Sequence, residues 1–375
     1  MINPNIYLEN LNKAGIHFYS GVPDSLLKQF CACISENIND ENHTISSNEG
    51  AAIALGIGNY IGTGSVPFIY LQNSGLGNII NPILSLASQE VYGIPMIIMI
   101  GWRGAPNVKD EPQHVHQGRV MKKSMDAMDI PHVTLSKDED TAIKQTNDAI
   151  TKAKKYNTPV FLIVEKNTFS EYAYEKPLSK LDISREQAII TASKLLESDA
   201  VVVSTTGMPS RELFEFRANN NQGHHRDFLT VGGMGHANQI ALGISKAQPS
   251  RPIYCFDGDG AAIMHMGSIA VLGQSNAKNL IHIIFNNGVH DSVGGQPTVG
   301  FKINFSEIAN ACGYLSSATV MSEAQFKAAL QKAQSMPGPH LIDVHVRPGN
   351  RSDIGRPTSS PNDNKNAIMR YLGTL

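Results

Sequence analysis

The 375-residue sequence lacks several features that would point to particular classes of protein. Its four cysteines are too few and too scattered for a disulfide framework or a cysteine-based zinc site. Lys and Arg number 31 against 33 Asp and Glu, and the formal net charge of −2 offers no electrostatic attraction to nucleic acid. No run approaches the roughly 20 apolar residues of a membrane span, and no basic segment precedes an apolar run as in a secretory signal. These absences predict a soluble, cytoplasmic protein that binds neither nucleic acid nor membranes.

Short apolar runs alternate with helical patterns along the chain. The runs lie at 66–71, 95–100, 159–164, 200–204, 252–256, 280–285 and 340–346. Near-continuous apolar strands between helices are typical of parallel sheets that helices cover on both faces. The sequence therefore predicts an α/β fold with two doubly wound parallel-sheet domains.

The two halves of the chain end in the same way. In each half a capping box, Ser136 with Glu139 and Ser322 with Gln325, opens a helix, and a proline-containing turn then precedes an apolar strand. This similarity indicates a repeated unit. Because the polar segment 165–182 is typical of a linker, we predict domains at 1–174 and 175–375 and no central third domain.

The most informative stretch contains two polar sites beside glycines. One apolar strand ends in Gly258-Asp259-Gly260, and the next ends in Asn286-Asn287-Gly288. Since parallel strands end at the same edge of a sheet, the Asp259 carboxylate and the Asn287 amide are expected to meet there. Such oxygens suit Mg²⁺ held against a diphosphate, and the glycines let the backbone approach phosphate groups. Either motif alone could instead be an ordinary turn.

At this spacing the two motifs resemble the diphosphate motif of the thiamine diphosphate (ThDP) enzyme superfamily. The resemblance implies domains of the ThDP-binding type, a pyrimidine-binding first domain and a diphosphate-binding second domain. It implies ThDP and Mg²⁺ as cofactors, with Mg²⁺ held by Asp259, Asn287 and the carbonyl of Val289. Gly258, Gly260 and Ala261 would contact the cofactor. Glu49, in SSNEGAAIALGIG, would hydrogen-bond N1′ of the aminopyrimidine, although a glutamate at a helix N-terminus can also simply favour the helix dipole.

Two further segments are expected at the cofactor. VGGMGHANQIALGIS (231–245) resembles the family segment in which Met234 wedges beneath the cofactor and the Gly232 carbonyl faces its 4′-amino group. The alternative for Met234 is core packing. Thr205, Thr206 and Gly207 follow the first strand of the second domain and are candidate phosphate donors, or an ordinary loop.

Four strings resemble the phosphonopyruvate decarboxylases, with the sulfopyruvate decarboxylases close behind. They are GVPDSLL (21–27), LQNSGLGN (71–78), DEPQHVHQGR (110–119) and NNGVHDSVGGQPTVG (286–300). The resemblance implies decarboxylation of 3-phosphonopyruvate to phosphonoacetaldehyde and CO₂ in phosphonate biosynthesis, or of sulfopyruvate to sulfoacetaldehyde. It also implies a homodimer or higher homo-oligomer, because family members build the site between subunits. A remoter alternative is a non-catalytic diphosphate-binding module.

Both substrates are small 2-oxo acids with a second anionic group. The Gly/Pro/Ser-rich segment 349–368 carries Arg351, Arg356 and Lys365, which predicts a loop that binds this anion, although a basic tail can also be merely solvated. Ser25 and Asn73 are further candidates for substrate binding. Together with Glu49, the candidates for catalysis are Asp24, Ser25, His114 and His290.

Overall fold

The computed structural model describes residues 1–174 and 179–375. The chain divides into two compact units, Met1–Lys176 and Pro177–Leu375, here called unit 1 and unit 2. The predicted boundary between 174 and 175 adjoins residues 175–178, which lie outside the described residues, and it stays a prediction. Across the described residues, no helix has both the length and the apolarity needed to cross a membrane.

Unit 1 contains one six-stranded parallel sheet. Its strands are β1 (Tyr19–Gly21), β2 (His43–Ile45), β3 (Phe68–Gln72), β4 (Met96–Gly101), β5 (His132–Thr134) and β6 (Pro159–Val164). Its helices are α1 (Pro4–Lys13), α2 (Lys28–Asn37), α3 (Glu49–Thr63), α4 (Leu76–Pro82), α5 (Pro112–Ala127) and α6 (Glu139–Tyr156). A 3₁₀ turn, Asn73–Gly75, precedes α4, and a π-helix, Ile83–Ala87, continues it. The strand order is β2-β1-β3-β4-β6-β5.

Unit 2 contains a second six-stranded parallel sheet. Its strands are β7 (Val201–Ser204), β8 (Asp227–Leu229), β9 (Ile253–Gly258), β10 (Leu280–Asn286), β11 (Ser316–Val320) and β12 (His340–His345). Its helices are α7 (Arg185–Leu195), α8 (Met208–Asn219), α9 (Ala237–Ala247), α10 (Asp259–Met264), α11 (Gly267–Gly273), α12 (Phe305–Cys312), α13 (Glu323–Gln334) and α14 (Pro361–Tyr371), with a 3₁₀ turn at Asp291–Val293. The order β11-β12-β10-β9-β7-β8, counted within the unit and read from β8, is again 2-1-3-4-6-5.

Both sheets are covered on both faces, as the apolar runs predict. Alternate residues of β3 enter separate cores, Phe68 and Tyr70 in one and Ile69 and Leu71 in the other. The strands of unit 2 divide in the same way between two cores. All seven predicted runs form strands, and the predicted fold class is confirmed.

Two local predictions need correction. Ser136 lies too early to cap α6: the N-cap is Asp138, whose carboxylate accepts from the Thr141 amide at 3.0 Å, whereas Ser322 does cap α13. The predicted C-terminal loop extends too far. Its residues from Pro361 onward form α14, because Ser360 caps a helix there and Pro361 suits its first turn.

Candidate active site

In unit 2 the predicted cofactor residues come together at the carboxyl edge of the sheet. An open cleft lies there, with about 540 Å³ of atom-free space that includes open solvent. Its wall includes the predicted residues Thr205, Thr206, Met234, Gly258, Asp259, Gly260, Ala261, Asn287, Val289 and His290. Gly207 immediately precedes the wall residue Met208 as the N-cap of α8, at φ 93°. Gly232 lies outside the wall, in the loop between β8 and α9.

Asp259 begins α10 and is buried beneath the 298–300 segment. Its Oδ2 accepts a hydrogen bond from the Thr298 hydroxyl, and its Oδ1 accepts from the backbone N–H of Asn287 at 3.5 Å. Gly300 must lack a side chain, because a Cβ there would lie 2.5 Å from Asp259 Oδ2. Burial raises the pKa of Asp259 to about 6, against the effect of the Thr298 hydrogen bond.

Asn287 directly follows β10, and Asp291 fixes its orientation. Its Oδ1 accepts from the Val289 amide at 3.1 Å, and its Nδ2 donates to Asp291 Oδ2 at 2.7 Å. Asp291 also accepts from Arg185 at 3.1 Å, and Arg185 forms a bidentate pair with buried Glu212. Arg185 and Glu212 were not predicted, because they occur in unremarkable helical patterns and only the tertiary fold brings Arg185 to the cleft and Glu212 against Arg185.

The oxygens of this edge fit a magnesium ion. The Asp259 carboxylate, the Asn287 amide oxygen and the Val289 carbonyl are ligands that Mg²⁺ prefers. Among the described residues Asp259 has no ion-pair partner, and a buried carboxylate without a counter-charge is costly. Gly260 must lack a side chain for these residues to pack, because a Cβ there would meet His290 Cε1 at 2.9 Å and Met234 Cε at 3.3 Å.

In unit 1 the predicted glutamate is held by a neutral donor. Glu49 is the first residue of α3 and is 4% exposed. Asn78 donates from Nδ2 to Glu49 Oε2 at 2.7 Å. Gly75 packs so closely against the carboxylate that an added Cβ would overlap with it. The short turn before α4 therefore shapes the surroundings of Glu49.

A second group of predicted residues surrounds Asp24, which is fully buried. Its Oδ1 accepts from Gln72 Nε2 at 2.7 Å, and its Oδ2 accepts from the Leu26 amide at 3.1 Å. Burial raises the pKa of Asp24 to about 6, while the Gln72 hydrogen bond and the charge of Arg103 lower it in part. A carboxyl with such a pKa can exchange protons near neutral pH.

Ser25 and Asn73 both contact Arg103, which sequence analysis missed. Arg103 Nη1 donates to Ser25 Oγ at 2.8 Å, and Asn73 pairs with the backbone N–H and C=O of Arg103 at 3.1 and 2.7 Å. Trp102-Arg103-Gly104 precedes the quoted string DEPQHVHQGR without a motif of its own, so only the fold reveals its position.

The two candidate histidines have depressed pKa values. His114 is buried on α5, where burial and the charge of Arg103 lower its pKa. Burial lowers the pKa of His290 to about 4. His290 is therefore neutral at pH 7.

The basic residues of the C-terminal segment lie in unit 2. The Arg351 guanidinium donates to Glu186 at 3.0 Å, to Asp353 at 3.0 Å and to Glu215 at 2.5 Å. Arg356 and Lys365 are exposed, Lys365 on α14. The structure thus surrounds Arg351 with carboxylates, and the binding of a substrate anion by these residues stays a prediction.

Comparison with known proteins agrees with this geometry. A family model described as "Thiamine pyrophosphate enzyme, N-terminal TPP binding domain" matches residues 5–129, and the C-terminal TPP binding domain matches 205–344. The chain is 32% identical to a phosphonopyruvate decarboxylase of Streptomyces hygroscopicus, over 97% of this chain and 92% of the relative. It is also 32% identical to one of Streptomyces viridochromogenes, over 100% and 96%. A sulfopyruvate decarboxylase of Methanosarcina acetivorans is 26% identical over 100% and 98%.

Proposed function

The chain belongs to the thiamine pyrophosphate enzyme family, and we propose that it decarboxylates 3-phosphonopyruvate to phosphonoacetaldehyde and CO₂, with ThDP and Mg²⁺ as cofactors. The observation that carries this proposal is that one chain holds a buried Glu49 in unit 1 and the Asp259, Asn287 and Val289 oxygens in unit 2. The full-length similarity to two phosphonopyruvate decarboxylases supports the substrate and a place in phosphonate biosynthesis.

Unit 2 supplies the binding groups. Asp259, the Asn287 side chain and the Val289 carbonyl would hold Mg²⁺ and through it a diphosphate. Asp291 orients Asn287, and Arg185 with Glu212 holds Asp291 in place. Bound ThDP supplies the electron sink that a 2-oxo acid needs to lose CO₂.

Unit 1 supplies the groups that exchange protons. Asn78 occupies Oε2 of Glu49, so that Oε1 is the oxygen that would hold or release a proton at the aminopyrimidine. Asp24, held by Gln72, and His114 are the candidates for delivering a proton to the carbon that loses CO₂. Each of these groups is fixed by hydrogen bonds or packing before substrate arrives, which lowers the entropy cost of the reaction.

Two alternatives differ in what they require. Decarboxylation of sulfopyruvate needs the same machinery, and the 26% identical Methanosarcina relative favours it as the second candidate. A non-catalytic diphosphate-binding module needs the oxygens of unit 2 but not a buried Glu49 held by Asn78. The buried glutamate therefore favours the enzyme.

We further propose a cytoplasmic homo-oligomer. Unit 1 exposes apolar side chains on α3 and in the stretch that follows α4, which a subunit interface would cover. They are Leu55, Ile61, Leu84, Leu86, Val91 and Tyr92. Light scattering coupled to size-exclusion chromatography measures the oligomeric state, and a monomer at micromolar concentration contradicts this part of the proposal.

The test is a decarboxylation panel with the purified full chain, ThDP and Mg²⁺. CO₂ release is measured on 3-phosphonopyruvate, sulfopyruvate and pyruvate, and 3-phosphonopyruvate is expected to have the highest kcat/KM. Glu49→Gln should lower kcat by roughly 10²-fold or more, whereas Glu41→Gln, the same change at an exposed position of unit 1, should have no effect. ThDP binding without turnover on any 2-oxo acid would favour the non-catalytic module.

A further inference from the structure

Arg103 is a preorganised cation at the carboxyl edge of the first sheet, two residues after the end of β4 (Met96–Gly101). Its Nε and Nη2 donate to the two carboxylate oxygens of Asp110 at 2.8 and 2.5 Å, and its Nη1 donates to Ser25 Oγ at 2.8 Å. The Arg103 side chain is 18% exposed. A guanidinium fixed in this way loses little entropy when it binds a further acceptor.

A single short turn joins Arg103 to the residues proposed for catalysis. Gln72, the last residue of β3, donates to Asp24, and Asn73 pairs with the backbone of Arg103. Gly75, at the end of the same turn, packs against the Glu49 carboxylate. A small substrate whose reacting carbons lie near Glu49 and Asp24 would therefore extend its tail toward Arg103.

We propose that Arg103, together with the Ser25 hydroxyl, binds the tail anion of the substrate, the phosphonate of 3-phosphonopyruvate; this inference rests on the function proposed above. A guanidinium has five N–H groups, and its contacts with Asp110 and Ser25 use three of them, which leaves two for phosphonate oxygens. The planar fork of arginine matches such oxygens. The Ser25 hydroxyl donates to Asp24 Oδ1 at 3.4 Å, a long hydrogen bond that a phosphonate oxygen could replace.

Arg103 suits a tail anion better than the basic C-terminal segment does. Arg351 contacts three carboxylates, those of Glu186, Glu215 and Asp353, so its surroundings carry a net negative charge that repels a dianion. Among the described residues Arg103 forms an ion pair with one carboxylate, Asp110, whereas Arg351 pairs directly with three. The carboxyls of Asp24 and Glu111 also act on Arg103 through their charge. Burial raises the pKa of Asp24 to about 6, which reduces the negative charge near Arg103 at slightly acidic pH.

The test uses the full chain with ThDP and Mg²⁺ and the probe 3-phosphonopropionate, which has the carboxylate and the phosphonate but no 2-oxo group. Arg103→Gln should raise the Kd of this probe, measured by calorimetry, by roughly ten- to a hundred-fold, and should lower kcat/KM for 3-phosphonopyruvate by a similar factor. Arg103→Lys keeps the charge but loses the planar, forked geometry of the guanidinium. Its Kd and kcat/KM should lie between those of the wild type and those of Arg103→Gln. Lys152→Gln removes one positive charge from an exposed position on α6 and serves as the matched control.

Two readouts separate a tail-anion role from a structural one. The Kd of ThDP and the exchange of the cofactor's C2 proton with solvent, followed by NMR without substrate, should be unchanged in Arg103→Gln. An unchanged Kd for 3-phosphonopropionate, or C2 exchange slowed as much as kcat/KM, would overturn the assignment. Should Arg103→Gln fail to fold, Arg103→Lys and Ser25→Ala decide it by the same measurements. A wild-type protein that binds the probe but does not decarboxylate 3-phosphonopyruvate contradicts the proposed function and not the assignment of Arg103.

Discussion

The two units share one strand order but surround their buried carboxylates differently. In unit 2, buried acids face a basic side chain: Glu212 with Arg185, Asp227 with Arg217, Asp257 with His282 and Asp343 with His345. In unit 1, Glu49 and Asp24 accept their hydrogen bonds from the neutral amides of Asn78 and Gln72. Burial raises the pKa values of Glu212 and Asp227, and their arginine partners counteract this effect, so each forms a fixed pair of charges. Asp24 has no ion pair among the described residues, and burial raises its pKa to about 6. Unit 2 therefore suits rigid binding, whereas Asp24 in unit 1 suits proton transfer.

Asp259 differs from the other buried acids of unit 2 named above, each of which faces a basic side chain. Among the described residues it has no basic partner. It accepts hydrogen bonds from the Thr298 hydroxyl and the backbone N–H of Asn287. The Mg²⁺ proposed above would take the place of the missing basic side chain. The same strand order thus serves different chemistry through the residues that follow the strands.

The largest expected effect tests whether a metal is the partner of Asp259. Asp259→Asn keeps the size of the side chain and an acceptor for Thr298 but removes the charge, so Mg²⁺-dependent ThDP binding should weaken by roughly a hundred-fold or more. Calorimetric titration of ThDP at fixed Mg²⁺ measures this, with exposed Asp199→Asn as the control. An unchanged affinity for ThDP in Asp259→Asn would mean that Asp259 does not bind the metal and has a structural role only.

The next prediction concerns the close packing around Glu49. In Gly75→Ala the new methyl group would occupy the space of the carboxylate, and kcat for 3-phosphonopyruvate should fall by roughly 10²-fold while the Kd of ThDP changes little. Gly77→Ala is the matched control, because a Cβ at Gly77 has no atom within 4 Å. Equal activity of the two variants would show that the position of Glu49 does not depend on this turn.

The sequence predicted the centre of each sheet and the grouping of Asp259 and Asn287 at one sheet edge, for physical reasons. Central strands such as β4 and β10 are continuous apolar runs, and Asp259 and Asn287 occur at a spacing that one strand–helix–strand crossover determines. Strands β1, β2, β5, β8 and β11 were missed: four of them lie at sheet edges, and they are short or partly polar. Arg103 and Arg185 were missed because their partners, Asp110 with Ser25 and Glu212 with Asp291, are set by tertiary packing and have no local pattern.

The last prediction concerns stability and not activity, and it tests the comparison at Asp24. Burial raises the pKa of this carboxyl from 3.8 to about 6, so the folded protein binds a proton between these pH values that the unfolded chain releases. The contribution of Asp24 to stability is therefore fully present below about pH 4 and is lost as the pH rises through 6, by roughly 3 kcal/mol. Asp24→Asn cannot titrate and should not show this loss.

Urea unfolding of the wild type and Asp24→Asn at pH 4.5, 6 and 7.5 measures the free energy of unfolding of each protein. The difference between the two should shift in favour of Asp24→Asn as the pH rises, and exposed Asp148→Asn is the control. A difference that is the same at all three pH values would mean that Asp24 stays ionised in the folded protein, and the contrast between the units would then rest on Glu49 alone.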